Sequence, residues 1–116
     1  MDALLLAVTL ALAAPATSPE YSALVRECGE GGDFVRNAAY SRDAGMTRAA
    51  FLQRLHDDFA AIRGLPASLR WFVRTPEDEI FLAAEVARVF DAPDDGNAHR
   101  KGFISRCMQR IGPSAG

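Results

Sequence analysis

Cysteine and histidine are both scarce in this 116-residue chain, which holds only Cys28, Cys107, His56 and His99. A closed zinc centre needs about four such ligands at characteristic spacing. Once the two cysteines pair with each other, that inventory leaves no metal site. A basic surplus is also missing, with 13 Lys and Arg against 15 Asp and Glu and a formal net charge of −2. Phosphate binding needs a positive excess gathered on one face, so nucleic acid is excluded as the main partner. No Gly-x-Ser-x-Gly occurs, and no serine or cysteine has a histidine beside it in the sequence. The glycines at 29, 31 and 32 do not follow a strand and make no phosphate-binding loop. Enzymatic activity and a cofactor are therefore not expected. Linker-like runs and internal repeats are absent too, which leaves a single domain.

An apolar run long enough to cross a bilayer is likewise missing. Ala3–Ala14 gives twelve uncharged residues, too short for a spanning helix but the right size for the core of an export leader. Ala14-Pro15-Ala16 supplies a small-x-small cleavage pattern, with the cut placed after Ala16. Residues 1–16 are thus read as a signal peptide and 17–116 as one helical domain. The leader carries Asp2 and no Lys or Arg, unlike the usual positive start. No cysteine follows it closely, so a lipid anchor is not expected. The mature chain is expected in the periplasm or outside the cell, with no transmembrane segment.

What remains is helical in pattern and predicts an all-α fold of three or four short helices. Ser18-Pro19-Glu20 opens the first with an N-cap, proline at the first position and an acid in the first turn. Tyr21, Leu24, Val25, Cys28, Val35, Ala38 and Ala39 then share one stripe at 100° per residue. The Gly29-Glu30-Gly31-Gly32 cluster predicts a kink, a close approach by another helix, or a break. Arg42-Asp43-Ala44-Gly45-Met46-Thr47 reads as a helix end, with Gly45 left-handed, and a new cap at Thr47.

The second helix, to about Arg63, places Phe51, Leu52, Leu55, Phe59 and Ile62 inward, with His56 at the margin. Leu69–Val73 fits either a short helix or an extended connector carrying core aromatics. Thr75-Pro76-Glu77-Asp78 is the strongest helix start in the chain. Its helix is expected to bury Ile80, Leu82, Ala83, Val86, Ala87, Val89 and Phe90, with Glu85 and Phe81 on the polar side. Asn97 is the expected cap of the last helix, whose inward stripe is Phe103, Ile104, Cys107, Met108 and Ile111. Both cysteines fall on inward faces, so in an exported chain they predict a Cys28–Cys107 disulfide.

With these residues laid out, the chain resembles a group of small exported proteobacterial proteins of unknown function. The likeness rests on the leader, the Cys28 helix, the Arg42-Asp43-Ala44-Gly45 corner, the Arg70-Trp71-Phe72-Val73 stretch, Val89-Phe90 and the closing Cys107. It implies an exported helical protein with one disulfide, and it brings no activity.

Other chemistry reads as structural. Asp91–Gly96 looks briefly like a calcium loop but fails at Pro93 and at Gly102, where a bidentate Glu is needed. Glu77, Asp78 and Glu79 complement a helix dipole. Trp71 and Phe72 are expected to fill the core. Trp71 is also a possible partner contact, as is Phe81, which sits exposed or packs beneath the 64–75 connector. The functional expectation is a non-catalytic exported protein that binds or protects an envelope component. Alternatives are an acid-responsive holdase, an inhibitor or immunity-type partner of a secreted enzyme, and, weakest, a hydrolase joining His56 or His99 to a carboxylate.

Overall fold

The computed structural model describes residues 18–71 and 73–112. The expected leader with its cleavage point, and Phe72, lie outside the described residues. Four α-helices follow in order: α1 (Pro19–Asp43), α2 (Arg48–Ile62), α3 (Pro76–Asp91) and α4 (Gly96–Ile111), with a 3-10 turn at Ala67–Leu69 between α2 and α3. Each start is explained by a side chain that accepts an otherwise orphaned amide. Ser18 caps α1 and Thr47 caps α2. Thr75 and Asp78 form a reciprocal capping box on α3.

The last cap differs from expectation. Asp95 accepts from the Ala98 amide at 2.8 Å, so α4 starts one residue before Asn97 rather than after it. Either Asp or Asn suits the position chemically, and the chain uses the one that lets Gly96 begin the helix.

Paired residues fix an up-and-down arrangement. Cys28 meets Cys107 and Asp33 meets Arg100, so α1 and α4 run antiparallel. Arg106 meets Glu85 and Arg110 meets Asp78, which makes α3 antiparallel to α4. Arg48 and Arg63 reach Asp91 and Glu79, which sets α2 against α3. The core between them is Val35, Ala38, Ala39, Leu55, Phe59, Val73, Leu82, Val86, Val89 and Phe103, closed by the two cysteines.

The glycine cluster neither breaks nor ends α1, which is continuous through residues 29–32. Within the cluster, Gly32 serves proximity. A Cβ on Gly32 would lie 2.8 Å from Ile104 Cγ1, so α4 seats directly against the bare backbone there. The end of α1 is a Schellman turn. The Gly45 amide donates to Arg42 O at 2.9 Å and the Met46 amide to Ser41 O at 3.0 Å, with Gly45 at φ 102°.

Helix α3 departs most from the expected faces. Ile80 is 69% exposed, whereas Glu85 is 3% exposed and Phe81 is half-buried. The reason is geometric: α3 packs its backbone against α1 and α2, and long side chains on a further face reach across to α4, so its covered surface is wider than one stripe. Glu85 and Phe81 face that neighbour, and Ile80 faces away.

Candidate functional site

The disulfide is formed as expected, with Cys28 and Cys107 bridged at an S–S distance of 2.04 Å and their Cα atoms 5.7 Å apart. Both cysteines are buried, at 1% and 5% exposure. The bridge forms one wall of a cavity of about 220 Å³ shared with Glu27, Arg74, Asp78 and Arg110. These four side chains form a continuous network. Arg74 grips Glu27 through two bonds of 2.9 and 2.7 Å, and Glu27 is otherwise buried. The Arg74 amide donates to Asp78 at 3.0 Å, and Arg110 donates to the other Asp78 oxygen at 3.0 Å. Arg110 also lies over the Phe81 ring at 4.4 Å.

That contact corrects the expectation for Phe81. It is partly buried rather than exposed, and lies between α3 and α4 with its ring 5.5 Å from Phe103. Trp71 sits at the core margin, edge-on to Phe34 at 6.3 Å. The connector reaches this position through a left-handed backbone at Trp71, φ 58°, which is unusual for a bulky residue. Arg70 braces the bend by donating to Leu65 O and Arg63 O. After the 3-10 turn, Arg70 and Trp71 form a bend, with the Val73 amide donating to Arg70 O at 3.2 Å, rather than a continuing helix, and Val73 is buried.

A second cavity, about 300 Å³, lies between α1 and α2. Phe34, Met46, Phe51 and Leu55 form its apolar part, with Asn37, Ser41, Arg54 and Asp58 around them. The aromatic floor is continuous, since Phe51 is 6.0 Å from Phe34 and 5.5 Å from Phe90. The cleft has the form of a ligand site: a concave apolar floor with a few polar groups able to fix orientation.

The histidines do not meet. His56 is exposed on α2, edge-on to Phe59 at 6.1 Å, and not partly buried as its place on the stripe implies. It shares a groove of about 300 Å³ with Glu79 and the exposed Ile80. The Glu79 carboxylate is gripped by the Arg63 guanidinium, which holds it below the usual carboxylate range. His99 is buried in α4, with Nε2 3.1 Å from Ala92 O. Asp91–Gly96 is an interhelical turn: Asp91 pairs with Arg48 and Asp95 is the α4 cap. Among the described residues, no three His, Cys, Asp or Glu side chains gather as a metal site.

The residues that sequence reading missed are arginines bound across the bundle. Arg42 places Nη1 2.7 Å from Val89 O and 2.9 Å from Ala92 O, and Nη2 2.9 Å from Asp94 O, while Asp43 steadies its Nε at 3.0 Å. It thus satisfies carbonyls at the end of α3 and in the turn beyond it from another helix, a task the Arg-Asp-x-Gly corner did not announce. Glu85 receives two bonds from Arg106, at 2.8 and 2.7 Å. Those bonds raise Arg106 above its ordinary value, as Glu27 raises Arg74. The available signal was Glu27 immediately before an inward cysteine, and Glu85 immediately before Val86 of the core.

Compared with known proteins, the chain matches no family model, no curated protein and no solved structure.

Proposed function

We propose that the chain is an exported, non-catalytic binding protein of the cell envelope, and that the cleft between α1 and α2 holds a short peptide segment of its partner. The cleft carries this reading. One apolar side chain of a partner fits against Phe34 and Phe51, and Asn37, Ser41, Arg54 and Asp58 stand where they reach its backbone. Aromatic anchors in such clefts supply most of the energy of association. The bridge supports the export half of the proposal, because disulfides persist in oxidising compartments. So does the Ala3–Ala14 run with its small-x-small end.

A photo-crosslinking residue at Asn37 tests the cleft. In envelope extract it should give one discrete protein adduct, lost when Ser41→Arg fills the cleft and absent when the crosslinker is moved to Lys101. Adducts indifferent to Ser41→Arg would remove the cleft as the site. Rapid turnover of envelope polymers or peptides by the purified protein would remove the non-catalytic reading. Intact mass from the native host tests export: retention of residues 1–16 with two free thiols would reject it.

A further inference from the structure

Arginine is committed to internal partners almost everywhere in this bundle. Every arginine among the described residues other than Arg54 is paired with a carboxylate or grips a backbone carbonyl. Arg54 does neither, although Asp58 stands four residues on along the same helix, at the spacing where such pairs form. Asp58 is likewise without a cation among the described residues, whereas Asp57 beside it takes a bond from Gln53 at 3.1 Å. Both free charges line the cleft between α1 and α2.

The cleft also has a direction. α1 packs its backbone chiefly on α4, and α2 on α3, which leaves the space between α1 and α2 open. Its closed end is the corner that joins the two helices, where Ser41 and Met46 line it. A chain laid along it leaves in one direction only, which suits the end of a chain better than a segment passing through. Arg54 lies nearer the corner, and Asp58 stands about 6 Å farther out along α2, the length of roughly two extended residues. The inner charge is thus a cation and the outer one an acceptor.

We propose that the cleft captures the free C-terminus of a peptide that ends in an apolar residue, a refinement that rests on the peptide-binding reading of this cleft. The terminal side chain lies on Phe34, Phe51 and Leu55, and the α-carboxylate takes two parallel bonds from the Arg54 guanidinium. Asp58 accepts an amide of the residues before it. Asn37, on the α1 wall, offers both a donor and an acceptor to the remaining backbone groups. The opposite polarity, a free N-terminus, sets an ammonium beside Arg54 and is opposed by like charge. A fatty acid satisfies Arg54 but covers Asn37 and Asp58 without giving them partners, which costs affinity.

The experiment measures, by fluorescence anisotropy, how labelled glycine- and serine-rich peptides closed by a single leucine or phenylalanine bind the full chain with its disulfide formed. Each peptide is made with a free carboxylate and as the amide. The free acid should bind about tenfold tighter or more, the effect of its charge-assisted bonds. Arg54→Gln should bring the acid down to the affinity of the amide, and Arg54→Lys should recover part of the preference. Arg54 has no partner to lose, so neither change should move the urea midpoint. Equal binding of acid and amide, no binding by either, or a preference that survives Arg54→Gln would overturn the C-terminal assignment. Dodecanoate competing as well as the peptide would overturn it too. Mapping the Asn37 crosslink separates this inference from the reading beneath it. An adduct on the last residues of the captured protein supports the assignment. A Ser41→Arg-sensitive adduct on an internal segment removes the assignment and leaves the cleft standing, whereas adducts indifferent to Ser41→Arg remove both.

Discussion

Arg42 illustrates how much one side chain does here. Its planar fork serves three carbonyls that no helical amide reaches, and Asp43 aims it. A lysine offers a point charge rather than a fork, so Arg42→Lys should not restore what Arg42→Ala removes. Both are expected to cost on the order of 2–3 kcal/mol, read from urea unfolding midpoints. Glu79 gives a pH prediction with a definite sign. Its folded value is lowered below 4.5 by the Arg63 bonds, so its stabilisation is complete above that ordinary value. It is lost as the pH falls through the lower folded value. Glu79→Gln should therefore flatten the acid limb of stability against pH, measured by urea titrations across that range.

At single-residue scale the sequence was least informative. The inward acids Glu27 and Glu85 occupy positions that a polarity pattern assigns to solvent. Their partners lie 47 and 21 residues away, a distance no local pattern spans.

Elements were far more legible, because their signals are local. Caps at Ser18, Thr47 and Thr75 and the left-handed Gly45 all stand where the residue types put them. Faces were legible in three of the four described helices, and the predicted α1 stripe is covered along its length. The α2 and α4 stripes hold, whereas α3, with three neighbours, exposes Ile80 and covers Phe81. The glycines of α1 separate two effects that the sequence shows as one cluster. A Cβ at Gly29 meets nothing within 4 Å, so Gly29→Ala should stabilise the helix by about 0.5–1 kcal/mol. At Gly32 the same substitution forces Ile104 and Arg100 aside, and any gain in helix propensity should vanish. Thermal unfolding of the two variants side by side checks the contrast.

For the molecule as a whole, the bridge joins positions 79 residues apart, and the chain-entropy account gives it roughly 4–5 kcal/mol. A domain of about 100 residues has a total stability of only about 5–15 kcal/mol. Cys28→Ser with Cys107→Ser, or reduction of the native chain, should therefore lower the urea midpoint severely, as intrinsic fluorescence will report. The all-α architecture and this bridge were readable because inward faces could be assigned to α1 and α4 separately. The cleft between α1 and α2 was not, since its depth depends on how two helices diverge after a corner and not on which faces are apolar.

The span enclosed by the two sulfurs has one more result. It contains the larger part of α1, all of α2 and α3, the connector and most of α4, so most of the described chain lies inside a covalent ring. A single nick at the exposed Leu65 or Leu69 frees no fragment. The clipped molecule migrates as one species until a reductant parts it into two, and a protein cut once within this span remains physically whole.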